Sequence, residues 1–436
     1  MQLYSTNDPS LRVGFQEAVF NSLPADNGLY MPVDIPVLEA NFLENIDQYS
    51  MQEIAFEVAK SILKDAIPEM KLRSIIDDAI NFPAPVVKLD DKTYVLELFH
   101  GPSLAFKDFG ARFMSRVMSF FLKDDERMLD VLVATSGDTG GAVAAGFLGV
   151  PNTRVTILYP KGKVSDVQQM QLTTHGENIH AVEIDGTFDD CQALVKSAFL
   201  DQELNQRFRL TSANSINIAR LIPQTFYYFN AYAELKRQGK THLVFAVPSG
   251  NFGNIGAGLL AWKMGLPVKK FLAATNVNDT VPVFLETGVY RSKASVQTFA
   301  NAMDVGNPSN WVRIGDLFKD DIDELKQIVA GYSFTDEDTL NAMQSIFNQY
   351  RYIACPHTAI AWLAIREWRH ENPQDESPAV FLSTAHPCKF PDVLPGELMQ
   401  NLKVPEQIKE LQKKKGQFAS LNNDYEELKA YLKDVY

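Results

Sequence analysis

The spacing of hydrophobic positions changes near residue 90 of the chain. Before that point apolar residues recur at helical spacing, most clearly over residues 51–66, so we predict an amphipathic helix there. Two prolines, Pro83 and Pro85, and the apolar run 86–89 then indicate a boundary. We therefore assign residues 1–90 to an N-terminal domain.

From residue 91 onward, short apolar runs alternate with helical patterns and glycine-rich joins. The runs that we expect to form strands are 94–98, 131–135, 155–159, 181–184, 243–247, 271–275 and 379–382. Helical spacing is clearest at 141–147, 191–199 and 254–264. This alternation predicts an α/β protein with parallel sheets, in which ligands bind in loops beyond the carboxyl ends of the strands.

The end of the chain has a different composition. Residues 403–436 are rich in Lys and Glu and include the run Lys413-Lys414-Lys415. One triple lysine among acidic neighbours is typical of a solvated helix and is weak support for a binding patch. We therefore predict a C-terminal helical tail at 403–436, appended to a catalytic region at 91–402.

Charge narrows the class of partner. The chain has 41 Lys and Arg against 54 Asp and Glu, a formal charge of −13. That balance argues against a nucleic-acid-binding surface, which needs clustered basic residues. No apolar run approaches membrane-spanning length, so we expect a small-molecule partner, no nucleic acid and no membrane.

Cysteine usage indicates the compartment. Cys191, Cys355 and Cys388 are odd in number and lie far apart, in no metal-like spacing. The first residues lack the basic and apolar regions of a secretory signal. We therefore predict a cytoplasmic protein with neither a disulfide framework nor a metal site.

The first candidate chemical group is a lysine. Lys107 follows the apolar trio Leu104-Ala105-Phe106, where a strand-like run passes into a helix. Desolvation would favour the neutral amine, as a nucleophilic or Schiff-base lysine requires. On this segment alone, a surface lysine at a helix start is the more economical interpretation.

Two loops of small residues follow strand-like runs. One is ATSGDTGG at 134–141, and the other is VPSGNFGNIG at 247–256. Small residues let a ligand approach the backbone, and amides at a helix start attract anions. Each loop alone could be an ordinary strand-to-helix turn. Together with the lysine, they fit a cofactor with one phosphate, one carbonyl group and one amino-acid adduct.

These segments resemble the threonine synthase family, in the fold-type II (tryptophan synthase β-like) group of pyridoxal-phosphate enzymes. The matching stretches are NGLYMP, ELFHGPSLAFKDFGARFM, ATSGDTGGAV, SANSINIARL, VPSGNFGN, ATNVNDTVP and STAHPCKF. They run in order from residue 27 to about Phe390. The resemblance implies an α/β fold with two subdomains of parallel or mixed sheet around a cofactor cleft, plus an N-terminal appendage.

The resemblance also implies a role for each matching residue. Lys107 would carry pyridoxal phosphate as a Schiff base and shuttle protons, and Thr384 would face the pyridine nitrogen. The loop around the cofactor phosphate would consist of Gly250, Asn251, Phe252, Gly253 and Asn254. The loop for the substrate carboxylate would consist of Ser136, Gly137, Asp138 and Thr139, with Asp138 near the cofactor's 3′ oxygen. The substrate-phosphate site would consist of Asn214, Ser215 and Arg220.

The implied reaction converts O-phospho-L-homoserine and water to L-threonine and phosphate, by γ-elimination and β-addition of water, in threonine biosynthesis. A serine or threonine dehydratase of the same fold group is the enzymatic alternative, and a catalytically inactive cofactor-binding protein is the other. A substrate-phosphate site separates a threonine synthase from a dehydratase. If Asn214 or Ser215 only capped a helix and Arg220 lay on the surface, that site would not exist. Whether the protein is a monomer or a dimer stays open.

Smaller roles are expected for four further residues. We expect Asp108 to stabilise the first turn of the helix that follows Lys107. His386 and Cys388 are too few for a metal site. Cys355 stands where relatives often carry an acidic residue, so any role specific to a carboxylate is in doubt there.

Overall fold

Three β-sheets organise the part of the chain that the computed structural model describes, residues 1–123 and 127–436. Their strands, in chain order, are β1 (Gln2–Ser5), β2 (Arg12–Gly14), β3 (Tyr30–Pro32), β4 (Val86–Lys88), β5 (Thr93–Glu97), β6 (Leu129–Ala134), β7 (Thr153–Pro160), β8 (Ile179–Asp185), β9 (Arg209–Ser212), β10 (Leu243–Pro248), β11 (Val268–Thr275), β12 (Val329–Ser333), β13 (Ala379–Ser383) and β14 (Ala419–Asn422).

Helices connect these strands. The α-helices are α1 (Phe15–Asn21), α2 (Ala40–Glu44), α3 (Met51–Leu63), α4 (Glu69–Ala79), α5 (Lys107–Leu122), α6 (Asp138–Phe147), α7 (Asp166–Thr173), α8 (Phe188–Leu200), α9 (Gln202–Arg207), α10 (Ile218–Leu221), α11 (Gln224–Lys236), α12 (Gly253–Lys263), α13 (Thr280–Thr287), α14 (Trp311–Leu317), α15 (Ile322–Ile328), α16 (Asp336–Tyr350), α17 (Pro356–Glu371), α18 (Gly396–Asn401), α19 (Glu406–Gln412) and α20 (Tyr425–Val435). Short 3-10 turns cover Ile46–Gln48, Lys64–Ala66, Asn301–Met303 and Pro387–Lys389. In the described ranges, no helix combines the length and the apolar character needed to cross a membrane.

The two large sheets are mainly parallel. The six-stranded sheet has the order β12-β11-β10-β13-β5-β4, with only β4 antiparallel to its neighbour. The five-stranded sheet, β14-β8-β7-β6-β9, is parallel throughout. A small antiparallel sheet, β2-β1-β3, belongs to the N-terminal region. The predicted α/β fold with two parallel or mixed sheets and an N-terminal appendage is confirmed.

The predicted strands are found because each is an apolar run buried on both faces. All six positions of β10 and all five of β13 are buried. One face of this sheet packs against α16 and α17, and the other packs into the large core that includes α5, α11 and α12. Helices on both faces leave no polar side of the sheet, so apolar residues run continuously instead of alternating with polar ones.

The helix predicted at 51–66 is real but shorter. Ser50 caps α3 by accepting the amide of Glu53, and the Glu53 carboxylate returns a contact to the Ser50 amide at 2.7 Å. The helix ends at Leu63 because Lys64 adopts a positive φ of 52°. The last predicted turn, Lys64–Ala66, is a 3-10 turn.

The end of the chain differs from the solvated helical tail that its composition predicts. Strand β14 pairs in parallel with β8 and completes the five-stranded sheet. Helix α20 then places Leu428 and Leu432, both 0% exposed, in the core between this sheet and α8. The charged residues on the exposed face of α20 dominate the composition of this segment. Its packing is determined by the two leucines, which lie one helical turn apart on the buried face.

Candidate active site

A buried turn delivers Lys107 to the start of α5. The chain leaves β5 and turns at Leu104, whose φ of 58° lies in the left-handed region. The amide of Phe106 then donates to the carbonyl of Thr384 at 2.9 Å. This bond ties the beginning of α5 to the segment that leaves β13, so Lys107 and Thr384 come from neighbouring strand ends of one sheet.

The amine of Lys107 is desolvated. Burial lowers the pKa of Lys107 to about 8, against the opposing charge of Asp138. The positive charges of Lys389 and Arg220 act in the same direction as burial. The charged residues that act on Lys107 come from both large sheets, so its amine lies in a cleft between them. A lysine with this pKa has a neutral, nucleophilic fraction near neutral pH, as covalent cofactor binding needs.

Asp108 lies in the first turn of α5 and also holds the turn that precedes this helix. Its Oδ2 accepts the amide of Ser103 at 2.9 Å, and its Oδ1 is buried without a hydrogen-bond partner among the described residues. The helix-stabilising role expected of Asp108 stays a prediction, and its side chain also folds back along the chain to Ser103. Burial raises the pKa of Asp108 to about 6, although the contacts with Ser103 oppose this.

The loop after β6 turns around one hydroxyl group. Thr135 Oγ1 accepts the amides of Gly137 at 2.9 Å and Gly140 at 2.8 Å. Gly137 has a φ of 128°, which favours glycine. Ser136 and Thr139 keep part of their surface exposed. Hydroxyl groups at the amino end of α6 suit a small anion such as a carboxylate.

Asp138, the first residue of α6, carries a buried negative charge. Lys389 Nζ lies 2.8 Å from Asp138 Oδ1, and Gln168 Nε2 donates to the same oxygen at 3.0 Å. Burial alone would raise the pKa of Asp138. The charges of Lys389 and Lys107, with these hydrogen bonds, outweigh burial and hold the pKa of Asp138 well below its usual range. Asp138 is therefore an anion in the same cleft as Lys107.

The loop after β10 presents an unpaired donor. Phe252, at a φ of 59°, turns the chain so that α12 begins at Gly253. The side-chain oxygen of Asn254 accepts the hydroxyl groups of Tyr227 at 2.6 Å and Tyr228 at 2.8 Å. Both donors orient the amide, and Asn254 Nδ2 is left buried without a hydrogen-bond partner among the described residues. Leaving such a group unpaired costs about 1–3 kcal/mol, so this nitrogen fits a ligand acceptor.

Asn251 joins this loop to the segment after β9. Asn251 Nδ2 donates to Ser215 Oγ at 2.7 Å, and Asn251 Oδ1 accepts the amide of Ser309 at 2.5 Å. Glycine is required at Gly250, where a Cβ would lie 2.6 Å from the carbonyl oxygen of Ala302. The two loops that the sequence assigns to separate phosphate sites are therefore in direct contact.

Arg220 is a buried cation on α10. Its side chain is 2% exposed, so the surface alternative is wrong. Nη1 donates to the carbonyl of Ala213, whereas Nε has no hydrogen-bond partner among the described residues. Burial lowers the pKa of Arg220 to about 10, and Asp108 opposes this. The guanidinium stays charged and has a donor free for an anion.

Helix capping does not account for Asn214 and Ser215. The cap of α10 is Asn217, whose Oδ1 accepts the amide of Ala219 at 3.0 Å. Asn214 Oδ1 is buried without a hydrogen-bond partner among residues 1–123 and 127–436. The capping alternative is therefore wrong: Ser215 Oγ accepts the side-chain amide of Asn251 instead, and Asn214 is available for another role.

Three further polar residues near the cleft form hydrogen bonds within the protein. His357 Nε2 accepts the amide of Ala302 at 3.2 Å, and burial lowers the pKa of His357 to about 4, which keeps the ring neutral. Cys355 precedes α17, with its Sγ 3.2 Å from the Thr358 hydroxyl oxygen. His386 Nδ1 accepts the amide of Cys388 at 3.2 Å. Within the described ranges, no group of three or more His, Cys, Asp or Glu side chains could hold a metal.

The sequence analysis missed the residues that support these side chains. Lys389 and Gln168 contact Asp138, while Tyr227 and Tyr228 orient Asn254. Lys389 gives one signal in the sequence, since it stands between Cys388 and Phe390 in an otherwise apolar stretch. The others give none, because their partners are between 26 and 30 positions away along the chain.

The donors present in the cleft fit pyridoxal phosphate. The desolvated amine of the half-buried Lys107 can bind its aldehyde group, and Asn254 Nδ2 can donate to its phosphate. Arg220 Nε is a second unpaired donor, suited to a further anionic group.

Comparisons with known proteins agree with this fit. A family model described as pyridoxal-phosphate dependent enzyme matches residues 80–385, and models of the threonine synthase N terminus and C-terminal region match 2–80 and 358–432. The threonine synthase of Serratia marcescens is 44% identical over 94% of this chain and 93% of its own length. The crystal structure of threonine synthase from Escherichia coli superposes with a TM-score of 0.92, at 41% identity and full coverage of both chains. A PLP-bound threonine synthase from Brucella melitensis gives a TM-score of 0.92 at 33% identity, over 100% of this chain and 99% of its own.

Proposed function

Because this chain belongs to the threonine synthase family of pyridoxal-phosphate-dependent lyases, we propose that its cleft converts O-phospho-L-homoserine and water to L-threonine and phosphate. The protein serves threonine biosynthesis and uses pyridoxal phosphate as cofactor. The proposal adds the substrate, the reaction steps and the residues that perform them: Lys107 binds the cofactor covalently and is the proton-transfer group.

One observation carries the assignment of the substrate. Arg220 is a buried cation with an unpaired Nε, and Ser215, five positions earlier in the chain, accepts a hydrogen bond from Asn251 of the cofactor-phosphate loop. This arrangement supports two neighbouring anion sites, one for the phosphate of the cofactor and one for that of the substrate. A dehydratase substrate has no phosphate, so it would leave the second site without a ligand.

Pyridoxal phosphate, when bound, supplies the electron sink that makes the proton on the amino-bearing carbon removable, and after it those on the neighbouring β-carbon. Lys107 Nζ takes and returns those protons, since burial lowers its pKa to about 8 and an amine with this pKa exchanges protons readily near neutral pH. Asp138 keeps a negative charge next to this amine and stabilises its protonated form. Thr384 offers a neutral hydroxyl group to the pyridine nitrogen.

The other site residues bind and orient. The cofactor phosphate is held by the loop residues Gly250, Asn251, Phe252, Gly253 and Asn254. The substrate carboxylate is held at the amino end of α6 by Ser136, Gly137 and Thr139, and the substrate phosphate by Asn214, Ser215 and Arg220. Two anchors at opposite ends of the substrate fix its γ-carbon relative to the amine of Lys107.

In this proposal the chain is divided into three regions. Residues 1–90 form an N-terminal domain, 91–402 the catalytic region with two interleaved subdomains, and 403–436 a C-terminal segment. A cytoplasmic location is part of the proposal, supported by three buried, unpaired cysteines suited to a reducing compartment. Its partner is a small molecule and not a nucleic acid, and a monomer and a dimer are both compatible with it.

The test is phosphate release from O-phospho-L-homoserine by the purified protein, with threonine identified as the product. Turnover of serine or threonine without turnover of phosphohomoserine would favour the dehydratase. A protein that develops no cofactor absorbance when mixed with pyridoxal phosphate, and does not react with borohydride, would contradict the role of Lys107.

A further inference from the structure

Lys389 is a fully buried lysine that no part of the proposed reaction uses. Its side chain is 0% exposed, in the 3-10 turn Pro387–Lys389 after β13. Its ammonium lies 2.8 Å from Asp138 Oδ1 and donates to the carbonyl of Ser103 at 2.7 Å. A lysine buried to this degree is rare unless it is paired, and this pair joins the two large sheets across the cleft.

The position of Lys389 is fixed from both ends. Its own carbonyl accepts the hydroxyl group of Ser165 at 2.7 Å. Ser165 also caps α7 by accepting the amide of Gln168, and Gln168 in turn donates to Asp138. Gly137 leaves room for that contact, because a Cβ there would lie 2.4 Å from the Gln168 side chain. The Lys389–Asp138 pair is therefore held by a closed ring of hydrogen bonds.

The charges of the pair act on the amine of Lys107. Four charged or titratable side chains from separate elements influence Lys107 or are influenced by it: Asp138 on α6, Lys389 after β13, Arg220 on α10 and His357 on α17. His357 is neutral because burial lowers its pKa to about 4. Asp138 is thus the one of these four that favours a proton on Lys107, and Lys389 is in direct contact with it.

We propose that Lys389 is a positioning residue that offsets the charge of Asp138 and so keeps Lys107 neutral enough to capture the cofactor. This inference rests on the proposed role of Lys107. Without Lys389, Asp138 would act unopposed on Lys107 and stabilise its ammonium form, which is not a nucleophile. The physical cause is local: one buried positive charge at 2.8 Å from the carboxylate.

The test measures the rate at which the apoprotein captures pyridoxal phosphate, followed by absorbance, as a function of pH. In the wild-type protein this rate should rise through about pH 8, the pKa of Lys107. Lys389→Gln removes the charge and keeps an amide donor for Asp138 and Ser103. We expect it to move the midpoint upward by about one pH unit or more.

Two further variants separate charge from structure. Asp138→Asn should move the midpoint downward, and in the Asp138→Asn background the Lys389→Gln change should move it by much less than it does alone. Lys270→Gln is the control, since the ammonium of Lys270 likewise donates to the backbone, at the carbonyls of Lys326 and Gln327, but has no carboxylate partner among the described residues and lies away from the cleft. It should leave the midpoint unchanged.

Several results would overturn the inference. An unchanged midpoint in Lys389→Gln would reduce Lys389 to a structural role. Equal shifts with and without Asp138 would mean that Lys389 acts on Lys107 directly and not by offsetting Asp138. If Lys389→Gln does not fold alone, the Asp138→Asn shift and the midpoint of the double variant decide the question. A wild-type protein that captures no cofactor at any pH would instead contradict the proposed function.

Discussion

Asn251 donates from Nδ2 to the hydroxyl oxygen of Ser215 at 2.7 Å, across the two large sheets. Asn251 follows β10 of the six-stranded sheet, and Ser215 follows β9 of the five-stranded sheet. The contact therefore joins a residue of the proposed cofactor-phosphate loop to one of the proposed substrate-phosphate site. Binding at one site should influence the other through this bond.

Ser215→Ala should test that link. The variant leaves Asn251 without its acceptor, at a cost of about 1 kcal/mol, roughly a fivefold change in an equilibrium constant. We expect weaker binding of both pyridoxal phosphate and phosphohomoserine, measured by cofactor titration and by KM. Ser345→Ala removes a helix hydroxyl that bonds to the Asn341 carbonyl, and it should change neither. An effect on KM alone would argue against coupling.

Arg220→Ala should impair turnover of phosphohomoserine while the cofactor still binds. A hydrogen bond to a charged group contributes about 1.5–3 kcal/mol, so kcat/KM should fall by roughly 10- to 100-fold. Steady-state kinetics and the cofactor absorbance spectrum measure the two effects separately. Arg237→Ala, which removes an arginine bonded to the carbonyls of Asp47 and Tyr49, is the control. Unchanged kinetics in Arg220→Ala would reject Arg220 as a phosphate ligand.

Tyr227→Phe and Tyr228→Phe should weaken cofactor binding indirectly, through the side chain of Asn254. Each removes one of the two donors that orient the Asn254 amide, with O–O distances of 2.6 Å and 2.8 Å. At about 0.5–1.5 kcal/mol for each bond, we expect the dissociation constant of pyridoxal phosphate to rise about 2- to 10-fold. Tyr94→Phe, a buried tyrosine at the opposite end of β5, should leave the constant unchanged. Equal cofactor affinity in the double variant would contradict this role of the tyrosines.

Asp108→Asn should raise the stability of the apoprotein at neutral pH. The pKa of Asp108 rises from 3.8 to about 6 on folding, so the folded state holds this proton more tightly than the unfolded state does. The wild-type protein therefore loses stability as pH increases from about 4 to about 6, by on the order of 2–3 kcal/mol. The variant avoids this loss, because an amide has no proton to release in that range.

Urea unfolding at several pH values measures the effect of Asp108→Asn. The gain over the wild type should be largest above pH 6 and should vanish below pH 4, because both states of the wild-type carboxyl are then protonated. Asp8→Asn is the control, since the contacts of that exposed carboxylate with Ser10 lower its pKa, and it should show no gain at neutral pH. A pH-independent difference for Asp108→Asn would mean that packing, and not charge, is responsible.

The sequence by itself determined the class of fold and the chemistry. Strands such as β10 and β13 are apolar at nearly every position. Because they are buried on both faces, their continuous apolar runs can be recognised from the sequence alone. The segment around Lys107 and the two small-residue loops are also local, because backbone turns and helix starts depend on neighbouring residues. Those local features fit a cofactor with one phosphate and one carbonyl group, and their resemblance to the threonine synthase family implies pyridoxal phosphate.

Only the tertiary structure decided how the charges in the cleft are arranged. Lys389 meets Asp138 across 251 positions of chain, and Asn251 meets Ser215 across 36. Electrostatic energy and hydrogen bonding depend on distances of a few ångströms in space, which spacing along the chain does not encode. The same reason explains the end of the chain, where a charged composition predicts a solvated tail while Leu428 and Leu432 bury one face of α20 against a distant sheet.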